Sequence, residues 1–197
     1  ILLFLFIGGF YGSAQLSKIH YVPPVAYAND GGAIPDGGQF LYISTPSLTA
    51  VNVVITPVGG TPQAVAITNA SPYKYEIQAD GGLGASQQAL VANNSNQTAR
   101  VHVDKGYIIQ AVESEIYVAL RIRGGATLQA GALVSKGGAA LGTSFRAGAF
   151  TNYSPSAAFV SFLSVMGTEA GTILTINNID ENVDLVDIDE AVLGSNA

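Results

Sequence analysis

The sequence has no cysteine, only two histidines and few charged side chains. Each shortage closes off a class of function. Without cysteine there is no disulfide and no thiolate metal site, so burial and strand pairing must carry stability. Secretion is still compatible with that. Lys and Arg total eight, scattered along 197 residues, against 14 Asp and Glu, which gives a net charge of −6. A phosphate backbone is bound by clustered cations. Nucleic acid is therefore excluded as a partner, and so is electrostatic attachment to an anionic membrane surface. Charged residues make up 11% of the chain, against roughly 25% in ordinary soluble domains. Leu, Glu, Lys and Arg are too scarce to build several amphipathic helix faces.

What is abundant points the other way. Glycine occurs 23 times, and small and β-branched residues supply most of the apolar content. The stretch from Gln39 to Ile77 reads as short strands at Gln39–Thr45, Val51–Val58, Gln63–Thr68 and Tyr73–Ile77. Val, Ile, Thr, Tyr and Phe dominate these runs and suit a pleated, half-buried surface. Thr45-Pro46-Ser47, Gly59-Gly60-Thr61-Pro62 and Asn69-Ala70-Ser71-Pro72 break them with turn chemistry. Val51, Val53 and Ile55 share one face of their strand, with Asn52, Val54 and Thr56 on the other. Because Val54 is apolar too, that strand is expected either to be covered on both faces or to be central in its sheet.

Further strands are expected at Arg100–Val103, Tyr107–Val112, Glu115–Ile122, Leu128–Ser135, Thr143–Phe150, Ala157–Val165 and Thr172–Asn177. In Glu115–Ile122, alternation puts Ile116, Val118 and Leu120 on one face. The predicted fold is all-β, an antiparallel sandwich of short strands; the alternative is a set of propeller-like blades. Phe40–Val58 is echoed by Phe159–Asn178 at an offset of about 120 residues. Asn178–Glu190 would continue that second unit, so the domain is expected to be cut short at its C-terminus.

The N-terminal run Ile1–Phe10 is too short to span a bilayer as a helix, which takes about 20 residues. It has the length of a secretory signal core, and Gly12, Ser13 and Ala14 suit cleavage near Ala14 or Gln15. Residues 1–15 are read as a signal peptide truncated at its start, with a buried strand as the alternative. Residues 16–38 are read as an extended lead-in draped over the domain, because Pro23-Pro24 is incompatible with a central strand. The β-rich domain is then 39–197. No membrane span is expected in the mature chain.

Few residues carry the pattern of a catalytic or ligand site. Only His20 and His102 could serve as imidazole bases, and no G-x-S-x-G elbow accompanies them. His20 beside Tyr21 reads as a histidine packed at the domain edge, and His102 as a solvent-facing strand residue. Gly167–Thr172 lacks the lysine of a phosphate loop and reads as a hairpin turn. Gly137–Gly142 does not match a dinucleotide fingerprint. Glu76, Glu113 and Glu115 are the strand-associated glutamates, and no two form an evident glycosidase pair. Asp180, Glu181, Asp184, Asp187, Asp189 and Glu190 form an acidic run without the glycine of an EF-hand loop. It reads as a solvated face, with calcium as the alternative. No catalytic residue, metal or cofactor is predicted. Asn93-Asn94-Ser95 and Asn96-Gln97-Thr98 match the N-glycosylation pattern. They lie in the long polar stretch Gln78–Ala99, the expected contact loop.

Three segments carry a resemblance: SKIHYVPPV at Ser17–Val25, QFLYISTPS at Gln39–Ser47 and VNVVITPVGGT at Val51–Thr61. Together they resemble the opening of the IgG-Fc-binding-like amino-terminal domain. That domain occurs in large secreted surface proteins of gliding, Bacteroidetes-type bacteria and in an animal mucus protein. DKGYIIQAVESEIYV at Asp104–Val118 and LGTSFRAGAF at Leu141–Phe150 resemble later units of the same family. The resemblance implies a β-rich extracellular adhesin, and it transfers no functional residue. The expected function is a non-enzymatic, secreted or cell-surface adhesion module that recognises protein or glycan through loops and edge strands. A structural surface-layer or filament subunit that self-associates by strand pairing is the first alternative, and a carbohydrate-active enzyme the second.

Overall fold

Alternating burial organises the molecule, strand by strand. The computed structural model describes residues 15–27, 39–77, 90–92, 101–123, 130–148, 162–180, 185–186 and 192–194. In chain order the strands are β1 (Ile19–Val22), β2 (Val25–Tyr27), β3 (Gln39–Ser44), β4 (Val51–Pro57), β5 (Gln63–Ile67), β6 (Tyr73–Ile77), β7 (Leu90–Ala92), β8 (Tyr107–Ala111), β9 (Tyr117–Arg123), β10 (Ala130–Val134), β11 (Leu185–Val186) and β12 (Val192–Gly194). A short 3-10 helix, Gly137–Ala140, follows β10.

Two four-stranded antiparallel sheets dominate, ordered β1-β8-β4-β5 and β10-β9-β3-β6. The connections β3 to β4, β5 to β6 and β8 to β9 each pass from one sheet to the other, while β4–β5 and β9–β10 pair within a sheet. Buried residues of both sheets, such as Leu41, Ile43 and Leu120 on one side and Val53, Ile55 and Ile109 on the other, form a single core. The fold is thus a β-sandwich and not a row of blades, since blades would each close a core of their own.

Of the two placements expected for the Val51–Val58 strand, the central one is found. β4 lies between β8 and β5, with Val51, Val53 and Ile55 buried and Asn52 and Thr56 turned away. Ile116, Val118 and Leu120 are likewise buried, Val118 opposite Ile43 and Leu120 opposite Leu41 of β3. The turn after β4 closes with Gly60 N–H donating to the Pro57 carbonyl at 2.9 Å, and Gly59 takes φ +75°. That conformation favours glycine.

Three departures from the sequence reading are informative. First, the described part of the lead-in does not drape over the domain: Ile19–Val22 is β1, paired with β8 at the end of the first sheet, and residues 28–38 lie outside the described residues. Pro23-Pro24 falls just beyond it, between β1 and β2, where no ladder bond is lost. Second, residues 101–103 form no strand, and Val101 is 89% exposed. Both edges of the following strand, β8, are already occupied by β1 and β4. Third, residues 143–148, 162–165 and 172–177 form no strand either, so the expected strands there, and the internal echo, are not expressed as a second ladder among the described residues. Their remaining positions lie outside the described residues.

Two small pairings complete the picture. β2 pairs in parallel with β7, a strand inside the stretch that read as a loop. β11 and β12 form an antiparallel pair near the C-terminus. No helix of the described residues is long and apolar enough to cross a membrane.

Candidate functional site

His20, one of the two imidazoles of the chain, is part of the packing. His20 has no exposed surface, and its Nε2–H donates to the Ile116 carbonyl at 2.8 Å. Since a carbonyl only accepts, Nε2 carries the proton, and Nδ1 is buried without a hydrogen-bond partner. Burial outweighs the nearby carbonyls and lowers its pKa below that of an ordinary histidine. Ile116 is also bridged to Ser17, with the two backbone bonds at 3.1 and 2.9 Å. His20 is therefore a packed histidine on the end strand of its sheet, as expected of the domain edge, and it is fully buried there. His102 lies in the loop before β8 rather than on a strand, half-buried.

The three glutamates separate. Glu76 is exposed on the outer face of β6. Glu113 lies between β8 and β9 and accepts from both the backbone N–H and the side-chain amide of Asn52, each at 3.2 Å. These bonds, the Asn52 amide first, hold its carboxyl below the usual carboxylate range. Glu115 is exposed, and its carbonyl accepts from the Thr45 hydroxyl at 2.9 Å. Glu113 and Glu115 thus flank the crossing between sheets, while Glu76 decorates a sheet face. Of the acidic run only Asp180 falls among the described residues; Glu181, Asp184, Asp187, Asp189 and Glu190 lie outside them, as do the glycosylation patterns, residues 1–14 of the signal segment and most of Gln78–Ala99. No group of three His, Cys, Asp or Glu able to hold a metal occurs among the described residues.

A surface that sequence reading missed stands on the second sheet. Odd-numbered residues of β3 point inward, so Phe40 and Tyr42 point out. Register then places Glu76 and Arg121 on either side of Phe40, and Lys74 and Ala119 on either side of Tyr42. The Lys74 ammonium sits 4.5 Å from the centre of the Phe40 ring, a cation–π contact. The Phe40 and Tyr42 rings are 6.0 Å apart and tilted by 56°. Tyr42 is 38% exposed and is the most accessible ring of the pair. The alternation in QFLYIS and YKYEI signalled two faces, but the juxtaposition depends on strand register that no single run contains.

The other seam of the sandwich is thinly closed. β5 and β6 are the end strands of their sheets on the same side, and Gln63 Nε2 donates to the Tyr73 hydroxyl between them at 3.0 Å. Val65, Tyr73 and Tyr75 are only half buried there. No protein-family model, no curated protein and no solved structure matches this chain.

Proposed function

We propose that the sandwich is a non-enzymatic extracellular adhesion module that recognises protein or glycan. The observation that carries this reading is the outer face of the second sheet. There two aromatic rings stand side by side on a rigid strand, among Lys74, Glu76 and Arg121. Aromatic rings stack on the apolar faces of sugars and anchor protein contacts, and neighbouring charges fix orientation. His20 is taken up in packing, and Glu76 stands apart from Glu113 and Glu115, which favours binding over turnover. The resemblance of Ser17–Val25 and Gln39–Thr61 to the IgG-Fc-binding-like amino-terminal domain supports the same reading and a place at the cell surface.

The test is a glycan array and a panel of immobilised extracellular proteins, probed with the parent chain and with Tyr42→Ala combined with Arg121→Ala. The parent should bind, and the double variant should lose at least about tenfold in affinity, or 1.4 kcal/mol, with an unchanged melting temperature. Hydrolysis of an array glycan, or binding indifferent to the double substitution, would overturn the reading.

A second reading, a structural subunit assembling by strand pairing, is favoured by a separate observation. β5 is an uncharged end strand with no neighbour on its outer side among the described residues, and such edges are templates for another chain.

A further inference from the structure

Residues 162–177 have the composition of paired strands but form no ladder among the described residues. Phe162, Leu163, Val165, Ile173, Leu174 and Ile176 are all 47–88% exposed. The turn between the two halves is formed: Thr172 donates to the Glu169 carbonyl through its N–H and its hydroxyl, and Gly171 takes φ +76°. So many large apolar side chains in so short a segment mark an interaction surface. We infer that Thr172–Asn177 adds as a fifth strand to the outer edge of β5 in a second copy of this chain.

Three observations select that occupant. The first is chemical likeness. TILTIN at Thr172–Asn177 echoes VNVVIT at Val51–Thr56, and β4 is the strand that β5 already pairs with. Alternation sends Leu174 and Ile176 to one face, as Val53 and Ile55 go in β4, with Ile173, Thr175 and Asn177 on the other. The second is the recipient surface. β5 carries no charge, its outward residues Ala64 and Ala66 are small and exposed, and half-buried Val65, Tyr73 and Tyr75 offer Leu174 and Ile176 an apolar flank. The third is position. The Ser164 hydroxyl donates to the Pro24 carbonyl at 2.5 Å, next to β1. β1 and β5 are the opposite ends of one sheet, about 14 Å apart at ~4.8 Å per strand. Ser164, which leads into the donor segment, is thus held across the sheet from its own copy's acceptor edge. Donor and acceptor are different surfaces, so the contact is head-to-tail, and each copy keeps one of each to engage further copies.

Sedimentation velocity over a wide concentration range tests this with two fold-neutral variants, both altered at exposed positions. The acceptor variant is Ala64→Lys with Ala66→Lys; the donor variant is Leu174→Lys with Ile176→Lys. The parent should give a sedimentation coefficient that rises steadily with concentration. Each variant alone should stay monomeric, with a parental circular dichroism spectrum and melting temperature. Mixed, the two should form a one-to-one complex and stop there, because one intact donor meets one intact acceptor. A parent monomeric throughout, a variant that still assembles alone, or a mixture that gives no complex would each overturn the proposal. None of these outcomes depends on Tyr42 or Arg121, so the ligand-binding reading stands or falls separately.

Discussion

The Ile116 carbonyl accepts from the buried Nε2–H of His20 at 2.8 Å, and this bond ties the end strand of one sheet to the start of β9 in the other. The imidazole must be neutral to be buried on these terms, since only one ring nitrogen has a partner. Its folded pKa is depressed, with burial the leading cause. In the unfolded chain it titrates near 6.5. Below that pH the unfolded state takes up a proton that the folded state refuses, so stability falls as pH falls from about 6.5 toward the folded pKa. We expect urea unfolding of the parent to weaken by up to about 1.4 kcal/mol per pH unit in that window relative to His20→Gln, which keeps a donor but does not titrate. Parallel pH profiles for the two proteins would remove His20 from the account.

Val53 and Leu48 make a matched pair for the core. Val53 is fully buried in mid-sheet, and Leu48, in the crossing before β4, is 82% exposed. Val53→Asp buries an unpaired charge and is expected to cost about 4 kcal/mol or more, enough to leave the chain largely unfolded. Leu48→Asp should stay within about 0.5 kcal/mol of the parent. Circular dichroism melts read both, and a Val53→Asp protein that melts with the parent would refute the inward face of β4.

The four strands between Gln39 and Ile77 were legible because side-chain alternation and turn residues agree there, and the inward face of β9 was legible for the same reason. What alternation cannot supply is a backbone partner. Val101 and Val103 alternate with His102 as a strand would, yet they stand in solvent beside a strand whose edges are filled. Thr172–Asn177 has strand chemistry and no ladder among the described residues. Conversely, β1 was obscured by Pro23-Pro24, and β7 by the glycine-rich polar stretch around it, because a three-residue strand in parallel pairing has too little pattern to announce itself. The Phe40–Tyr42 face needed more still: Arg121 lies 81 residues beyond Phe40 (121 − 40) and reaches its side only through register.

At high pH the tyrosines should divide. Tyr107 is buried against the edge of the Tyr75 ring, with centroids 5.8 Å apart. Burial first, and the Tyr75 hydroxyl second, push its pKa well above the ordinary tyrosine range; Tyr75 is raised as well. The unfolded chain releases these protons near pH 10, so the folded state loses stability as pH rises above that value. We expect Tyr75 and Tyr107 to ionise above the ordinary tyrosine range in an ultraviolet titration, with Tyr107 lagging until unfolding releases it. Tyr107→Phe should remove the lagging phase, and its persistence in that variant would reassign it.

Gly137 and Gly131 separate backbone need from mere occurrence. Gly137 has φ +57°, and a Cβ there would lie 2.2 Å from the Ser17 Cβ. The approach is close because Ser17 works in both directions: its Oγ accepts from Gly138 N–H at 3.1 Å, and its backbone bridges Ile116. Gly131, on β10, has nothing within 4 Å of the same position. Gly137→Ala must therefore adopt a left-handed conformation, costing about 1–3 kcal/mol, and also displace Ser17 from the bridge that docks β1. Gly131→Ala should be neutral or stabilise by up to about 1 kcal/mol through the unfolded chain. In melting temperature the loss at Gly137 is about 2–4 °C per kcal/mol for a chain of this size. Repeating Gly137→Ala in a Ser17→Gly background removes the collision and leaves the backbone strain, so a double-mutant cycle apportions the two. We expect a coupling above about 0.5 kcal/mol; additive effects would mean that the 3-10 helix does not press on Ser17, and that the latch over β1 rests on Ile116 alone.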